Sequence, residues 1–265
     1  MNDLPVAGLR ILVGAGSFTD AKAALRIVQR LPDGFCGGLG GILVEEQDLL
    51  AACKIPDQRV VLLSGAISSA PSLSQVRALL MADARAFQQL LARTAAPPEN
   101  AWAFTQDTGD LVSTALRAAA SWDVLVLGYR QIHKIPGKVV IFQTSAPTSD
   151  EMEKAFQRLS NYSRSGRITF SVKTKPDRAT NNPRPNALEF DTLGDALTAL
   201  TRQNAQAVLV DLKQGPVRSQ HDLLRLLEAA RCPVVVFGAS RTNPLLEHNT
   251  QILPHTAKVD SDNDG

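Results

Sequence analysis

The best-placed candidate for a ligand site is the short segment Gly14-Ala15-Gly16-Ser17. It follows the apolar run Leu9–Val13 and precedes a helical pattern, which predicts a position between a strand end and a helix N-terminus. Ligands of open α/β sheets bind at the carboxyl ends of strands, and helix N-termini attract anions. The segment is therefore either a ligand-binding turn or, as we favour, a purely structural one.

Two charged clusters follow other predicted strands. A basic cluster comes after Gly128 and contains Arg130, His133, Lys134 and Lys138. It would either meet an anion or form a solvated loop, and we favour the loop. An acidic cluster comes after Val44 and contains Glu45, Glu46 and Asp48. We expect these acids to be solvated or paired with nearby basic side chains.

A third segment, Gly37-Gly38-Leu39-Gly40-Gly41, is rich in glycine. A phosphate-binding loop follows a strand and opens a helix, whereas this segment precedes a predicted strand. We therefore predict a flexible turn.

Residues for covalent or metal chemistry are not recognisable. The four histidines are scattered without metal-ligand spacing, and no G-x-S-x-G motif marks a nucleophile. The three cysteines form no C-x-x-C pair, which excludes the usual zinc-site and disulfide frameworks. A net charge of +2 gives no electrostatic reason to expect nucleic acid or a membrane surface as partner. We predict no catalytic residue and no metal site.

Apolar, β-branched runs alternate with helical patterns along the chain, which predicts an α/β fold with parallel strands covered by helices on both faces. The predicted strands are Leu9–Val13, Gly41–Val44, Arg59–Leu63, Ala101–Thr105, Asp123–Leu127, Lys138–Phe142, Arg167–Val172, Ala187–Phe190, Ala207–Val210 and Pro233–Phe237. The longest predicted helix spans Leu73–Thr94. The predicted helix caps are Thr19 or Asp20, Thr148 in a capping box with Glu151, Thr192, and Ser219.

Two segments of the chain resemble each other. Gly109-Asp110-Leu111 leads through a short helix to the strand Asp123–Leu127, and Gly194-Asp195-Ala196 leads likewise to Ala207–Val210. This similarity predicts a duplicated α/β unit with a shortened second copy, although any two such units share some likeness. The predicted domains are residues 1–136 and 137–240, followed by a flexible tail over 241–265.

Four stretches resemble the universal stress protein family in order and spacing. They are Arg10–Ser17, Gly41–Leu50, Ser121–Gly128 and Leu223–Val236. The resemblance implies two Rossmann-like units of the universal stress, or adenine-nucleotide α-hydrolase-like, type in tandem. Family members commonly associate through their last strands, which implies a homodimer or a pseudo-dimer of the two repeats.

This sequence departs from the ATP-binding members of that family. They carry an aspartate at the end of strand one, where this chain has Ala15 or a deletion. They also carry a glycine loop after strand four, whose spacing is missing after Gly128 and again after Asp211. The departures imply that no cofactor is bound in the family manner, with ATP or AMP left as the alternative.

Three functional hypotheses follow. The first is a nucleotide-independent regulatory or interaction protein with an unknown protein partner, located in the cytoplasm. The second is a small-molecule or nucleotide sensor that uses a remnant cleft lined by Gly14–Ser17, Val44, Gly128 and Arg130. The third, an enzyme, lacks an identifiable nucleophile, base or metal site.

Overall fold

A computed structural model of the chain describes residues 8–32, 34–55, 59–61, 64–95, 102–129, 137–144, 148–161, 166–173 and 187–240. The predicted tail over 241–265 and the basic residues Arg130, His133 and Lys134 lie outside these ranges.

Eleven strands and seven helices alternate through the described residues. The strands are β1 (Leu9–Ala15), β2 (Cys36–Glu46), β3 (Arg59–Val61), β4 (Ile67–Ser69), β5 (Trp102–Gly109), β6 (Val124–Leu127), β7 (Lys138–Gln143), β8 (Arg167–Val172), β9 (Ala187–Phe190), β10 (Ala205–Asp211) and β11 (Val234–Phe237). The helices are α1 (Phe18–Val28), α2 (Gln47–Ala52), α3 (Leu73–Thr94), α4 (Leu111–Ala118), α5 (Asp150–Asn161), α6 (Leu193–Leu200) and α7 (Gln220–Ala230).

Nine of the strands form one sheet in the order β5-β2-β1-β6-β11-β10-β7-β8-β9. All neighbours are parallel except β6 and β11, which pair antiparallel. The strands of the N-terminal half therefore run opposite to those of the C-terminal half. In the N-terminal half β1 lies between β2 and β6, and β5 is outermost. In the C-terminal half β7 lies between β8 and β10, and β9 is outermost. The predicted α/β fold class with parallel strands is confirmed, and a single sheet spans both predicted domains.

Helices cover both faces of this sheet, which explains the continuous apolar runs in its central strands. The core on one face contains side chains from α1, α3 and α5. The core on the other face contains side chains from α4, α6 and α7. Every residue of β6, β10 and β11 is buried.

The glycine-rich segment predicted as a flexible turn is part of β2, so that prediction is wrong. Glycine is needed there because neighbouring side chains occupy the space of a Cβ atom. A Cβ on Gly40 would collide with the ring of Trp122, and one on Gly41 would lie 3.0 Å from atoms of both Phe87 and Leu91. The segment is thus a strand with large side chains packed directly on its backbone.

The predicted strand Arg59–Leu63 is a strand in its described part, β3, but it lies outside the main sheet and forms a small antiparallel hairpin with β4. Leu62 and Leu63 lie outside the described residues.

The helix caps agree with the sequence in part. Thr192 and Ser219 cap α6 and α7 as predicted. The first helix is capped by Ser17, which comes before both predicted caps, Thr19 and Asp20. Thr148 forms no capping box, because its hydroxyl donates to Gln143 Oε1 at 2.9 Å, while the Met152 N–H donates to Ser149 Oγ at 3.4 Å. Among the described helices, none is both long and apolar enough to cross a membrane.

We expect Gly40→Ala to lower the free energy of unfolding by about 1–3 kcal/mol, because its Cβ forces the Trp122 ring out of place. The matched control is Gly194→Ala in the first turn of α6, where an added Cβ meets its nearest neighbour at 3.6 Å. That control should be neutral or stabilising, since alanine favours helix. Urea unfolding of both variants checks the prediction, and equal stabilities would contradict it.

Candidate functional site

The predicted site residues meet where β1 and β6 end. Because β5, β2, β1 and β6 are parallel, their carboxyl ends share one edge of the sheet. The Gly128 N–H donates to the Gly14 carbonyl oxygen at 2.7 Å, and a Cβ on Gly16 would lie 3.9 Å from the Val44 carbonyl oxygen. The structure therefore brings together Gly14–Ser17, Val44 and Gly128. Arg130, the remaining predicted member, lies outside the described residues.

The inner part of this crevice is filled by backbone. Gly14, Ala15, Val44 and Gly128 are buried, whereas Gly16 and Ser17 are half-buried. A Cβ on Gly128 would lie 2.6 Å from the carbonyl oxygen of Asp20 and 3.2 Å from the Cβ of Ala15. The end of β6 thus packs on the first turn of α1, and the two backbones leave no gap for a ligand between them.

Side-chain oxygens accept hydrogen bonds from N–H groups at the start of α1. The Asp20 N–H donates to Ser17 Oγ at 3.2 Å, and the Ser17 hydroxyl donates to Asp20 Oδ2 at 2.5 Å. The Phe18 N–H donates to Asp83 Oδ2 at 2.9 Å, and Asp83 belongs to α3. A carboxylate from another helix therefore lies at the positive end of the α1 dipole, where a phosphate would otherwise bind.

Further acidic side chains make this edge unfavourable for anions. Glu46 ends β2, and its Oε1 would lie 3.6 Å from a Cβ on Gly16. Although Glu46 as a residue is exposed, partial burial of its carboxylate raises its pKa, and the negative charges of Asp110, Asp20 and Asp48 raise that pKa further. Glu46 is exposed to solvent, as one of the two expectations has it. The other expectation, pairing with a basic side chain, does not hold, because the charges that act on its carboxylate are of its own sign.

Asp83 has no signal in the sequence that links it to this site. It stands 65 residues from Phe18, within the regular pattern of a long amphipathic helix. Only the packing of α3 beside α1 assigns it a role. By contrast, the acidic character of the strand end at Glu46 is visible in the sequence.

The corresponding edge of the C-terminal half, at the ends of β7 and β10, is closed by hydrogen bonds. The Thr144 hydroxyl donates to the Gln214 carbonyl oxygen at 2.9 Å. Asp211 Oδ1 accepts the N–H groups of Lys213 at 2.7 Å and Gln214 at 3.3 Å. The cavity left between these residues measures about 10 Å³, room for one water molecule at most.

No metal centre is assembled from the described residues: they contain no group of three histidine, cysteine, aspartate or glutamate side chains that could hold an ion. The carboxyl ends of the strands in both halves present backbone groups that are already hydrogen-bonded. In the N-terminal half they also present a cluster of carboxylates.

The raised pKa of Glu46 predicts a pH-dependent gain in stability for Glu46→Gln. The folded carboxylate holds its proton more tightly than the unfolded one, so its ionisation weakens the fold as pH rises through and above the ordinary glutamate range of about 4.3. We expect the variant to be more stable at pH 7 by a few tenths of a kcal/mol, since solvent screens the exposed group. The difference should vanish below about pH 4, where both states are protonated.

Glu45→Gln is the matched control, because it removes the same charge from the adjacent position of β2. Urea unfolding at about pH 3.5 and about pH 7, which lie below and above the ordinary pKa of a glutamate carboxyl, distinguishes the two variants. A gain at pH 7 that persists unchanged in acid would contradict the assigned cause.

Comparison with known proteins gives a structural likeness only. No protein-family model matches the chain, and no curated protein matches it by sequence. A solved universal stress protein from Archaeoglobus fulgidus DSM 4304 is similar at 10% identity and a TM-score of 0.46, over 88% of this chain and 98% of that one. A protein of unknown function from Pseudomonas aeruginosa PAO1 is similar at 8% identity and a TM-score of 0.41, over 86% of this chain and 92% of that one. A universal stress protein is thus among the solved structures similar to this chain.

Proposed function

We propose that this protein is a regulatory or interaction protein of the universal stress type, which acts through its surface and does not bind ATP at the ends of β1 and β6. The observation that carries the proposal is the Asp83 carboxylate on the Phe18 N–H. A triphosphate at the start of α1 would have to displace this carboxylate and then lie beside Asp20 and Glu46. Like charges at such short range disfavour the bound anion.

The packing of Gly128 supports the same conclusion independently of charge. A Cβ added to Gly128 would collide with the Asp20 carbonyl, so the two elements would have to separate before a ligand could enter between them. The sequence also lacks the glycine spacing after β6 that would cradle phosphates with backbone N–H groups. Neutralising one carboxylate would therefore not be enough to create a phosphate site.

An exposed apolar surface supports an interaction role. Among the described residues, six of the eight large apolar side chains that are exposed lie between β2 and the middle of α3: Leu49, Ile55, Val61, Ile67, Leu79 and Met81. Val61 and Ile67 are directly paired across the β3–β4 hairpin and are 73% and 66% exposed. We propose that this exposed apolar pair on the hairpin contacts another molecule.

The first experiment is a thermal-shift titration of the full chain with Mg-ATP, ADP and AMP. We expect no shift at millimolar nucleotide, because a ligand that binds only the native state must raise the unfolding midpoint. A saturable shift would contradict the proposal and favour the alternative, a nucleotide sensor at this crevice. In that case Gly16→Val, which fills the outer crevice beside Glu46, should abolish the shift.

The second experiment concerns the hairpin. We expect the double variant Val61→Ser/Ile67→Ser to change the free energy of unfolding by no more than about 0.5 kcal/mol per site, because both side chains are already in water. The same variant should lose any stoichiometric complex that wild-type protein forms with a partner from its own cell extract. Leu188→Ser, on β9 at the far edge of the sheet, is the matched exposed control and should retain that complex. Retention by the hairpin variant would count against this surface.

A further inference from the structure

A cavity of about 500 Å³ lies between α5, from the C-terminal half, and the turn after α1, from the N-terminal half. Its volume is within the range of about 300–1,000 Å³ typical of small-molecule sites. It is separate from both strand-end crevices, since it shares no lining residue with either. Its lining includes three apolar side chains, Leu9, Pro32 and Phe35, which we call the floor. It also includes five polar side chains of α5, which we call the wall: Glu151, Lys154, Gln157, Arg158 and Asn161.

The floor is held by short backbone contacts. The Leu9 N–H donates to the Phe35 carbonyl oxygen at 2.7 Å, and the Phe35 N–H donates to the Pro32 carbonyl oxygen at 3.0 Å. A Cβ on Gly8 would lie 2.6 Å from the backbone of Gly34, so only glycine permits this approach. Leu9 and Phe35 also pack against the core on the α1 face of the sheet. The apolar floor is therefore already in place before any ligand binds.

The wall carries positive charge. Lys154 and Arg158 stand one turn apart on α5 and thus project from the same side of the helix. Arg158 is half-buried with its Nε shielded from solvent, whereas Lys154 is exposed and makes no ion pair with a described residue. Glu151 is the one acidic residue among the described residues that line the cavity. A second cavity of about 390 Å³ shares Gln157 and Asn161 with the first and adds the cation Arg167.

We propose that this cavity binds an amphipathic organic anion. The apolar body of the ligand lies on Leu9, Pro32 and Phe35, and its anionic group lies at Lys154 and Arg158. Lysine and arginine side chains on one helix face donate charge-assisted hydrogen bonds to an anion. The floor removes the apolar surface of the ligand from water. Because the floor and the wall come from different halves of the chain, a bound ligand would connect the two.

The test uses anilinonaphthalene sulfonate, an aromatic sulfonate that fluoresces when it leaves water, titrated into the native full-length protein. We expect saturable binding at one site per chain. Lys154→Glu should weaken it by about tenfold, as expected for a lost charged hydrogen bond and a new repulsion. Gln157→Trp, an exposed position on α5 that lines the cavity, should remove binding by filling the space. Lys22→Glu, an exposed lysine of α1 outside the cavity, is the matched control and should bind as wild type does.

Uncharged phenylnaphthylamine, which carries the same rings without the sulfonate, separates the two parts of the site. Its binding should be weaker and should not respond to Lys154→Glu, yet it should still be lost in Gln157→Trp. The proposal is overturned if the sulfonate shows no saturable binding. It is also overturned if Lys154→Glu and Lys22→Glu weaken binding equally, or if Gln157→Trp binds normally while unfolding in urea as wild type does.

Discussion

The antiparallel pairing of β6 with β11 is the constraint on which the rest of the architecture depends. Val126 lies opposite Val235 and Leu127 opposite Val234, and all four side chains are buried. This contact joins two sets of parallel strands that run in opposite directions into one sheet. Neither half then has an exposed strand edge at the centre of the molecule, where an unpaired backbone buried under helices would be costly.

That pairing also decides where functional groups can lie. Since the strands of the two halves run in opposite directions, their carboxyl ends lie on opposite edges of the sheet. The two strand-end crevices are thus far apart and cannot form a joint site. The faces behave differently: α1 and α5 contribute to the same core, so the turn after α1 and the polar side of α5 come within reach of one another. The two halves share a functional surface on the face of the sheet rather than at its edges.

Local patterns were enough wherever a residue's role is decided by its sequence neighbours. The spacing of apolar residues predicts α3, β8 and β9 with the ends that the structure has, and Thr192 and Ser219 cap the helices that they precede. The meeting of Gly14–Ser17 with Gly128 was also predictable, because parallel neighbouring strands must end at one edge.

The predictions failed where a residue distant in sequence decides the structure. The glycine-rich part of β2 is a strand because Trp122, Phe87 and Leu91 fill the space above it, and none of these is near in sequence. Asp83 reaches the site only through the packing of two helices, and no spacing rule could have indicated it.

The position of β11 in the chain has a consequence for folding during synthesis. The N-terminal half can form its parallel strands as soon as β6 has left the ribosome, but the outer edge of β6 then has no partner. Its residues, Val124–Leu127, are all apolar and include two valines, which favour strands, and this makes such an edge a template for pairing with other nascent chains. Only after the whole C-terminal half has been made does β11 cover this edge. In the interval between the synthesis of these two strands, the nascent chain therefore carries an apolar strand edge that is open to aggregation.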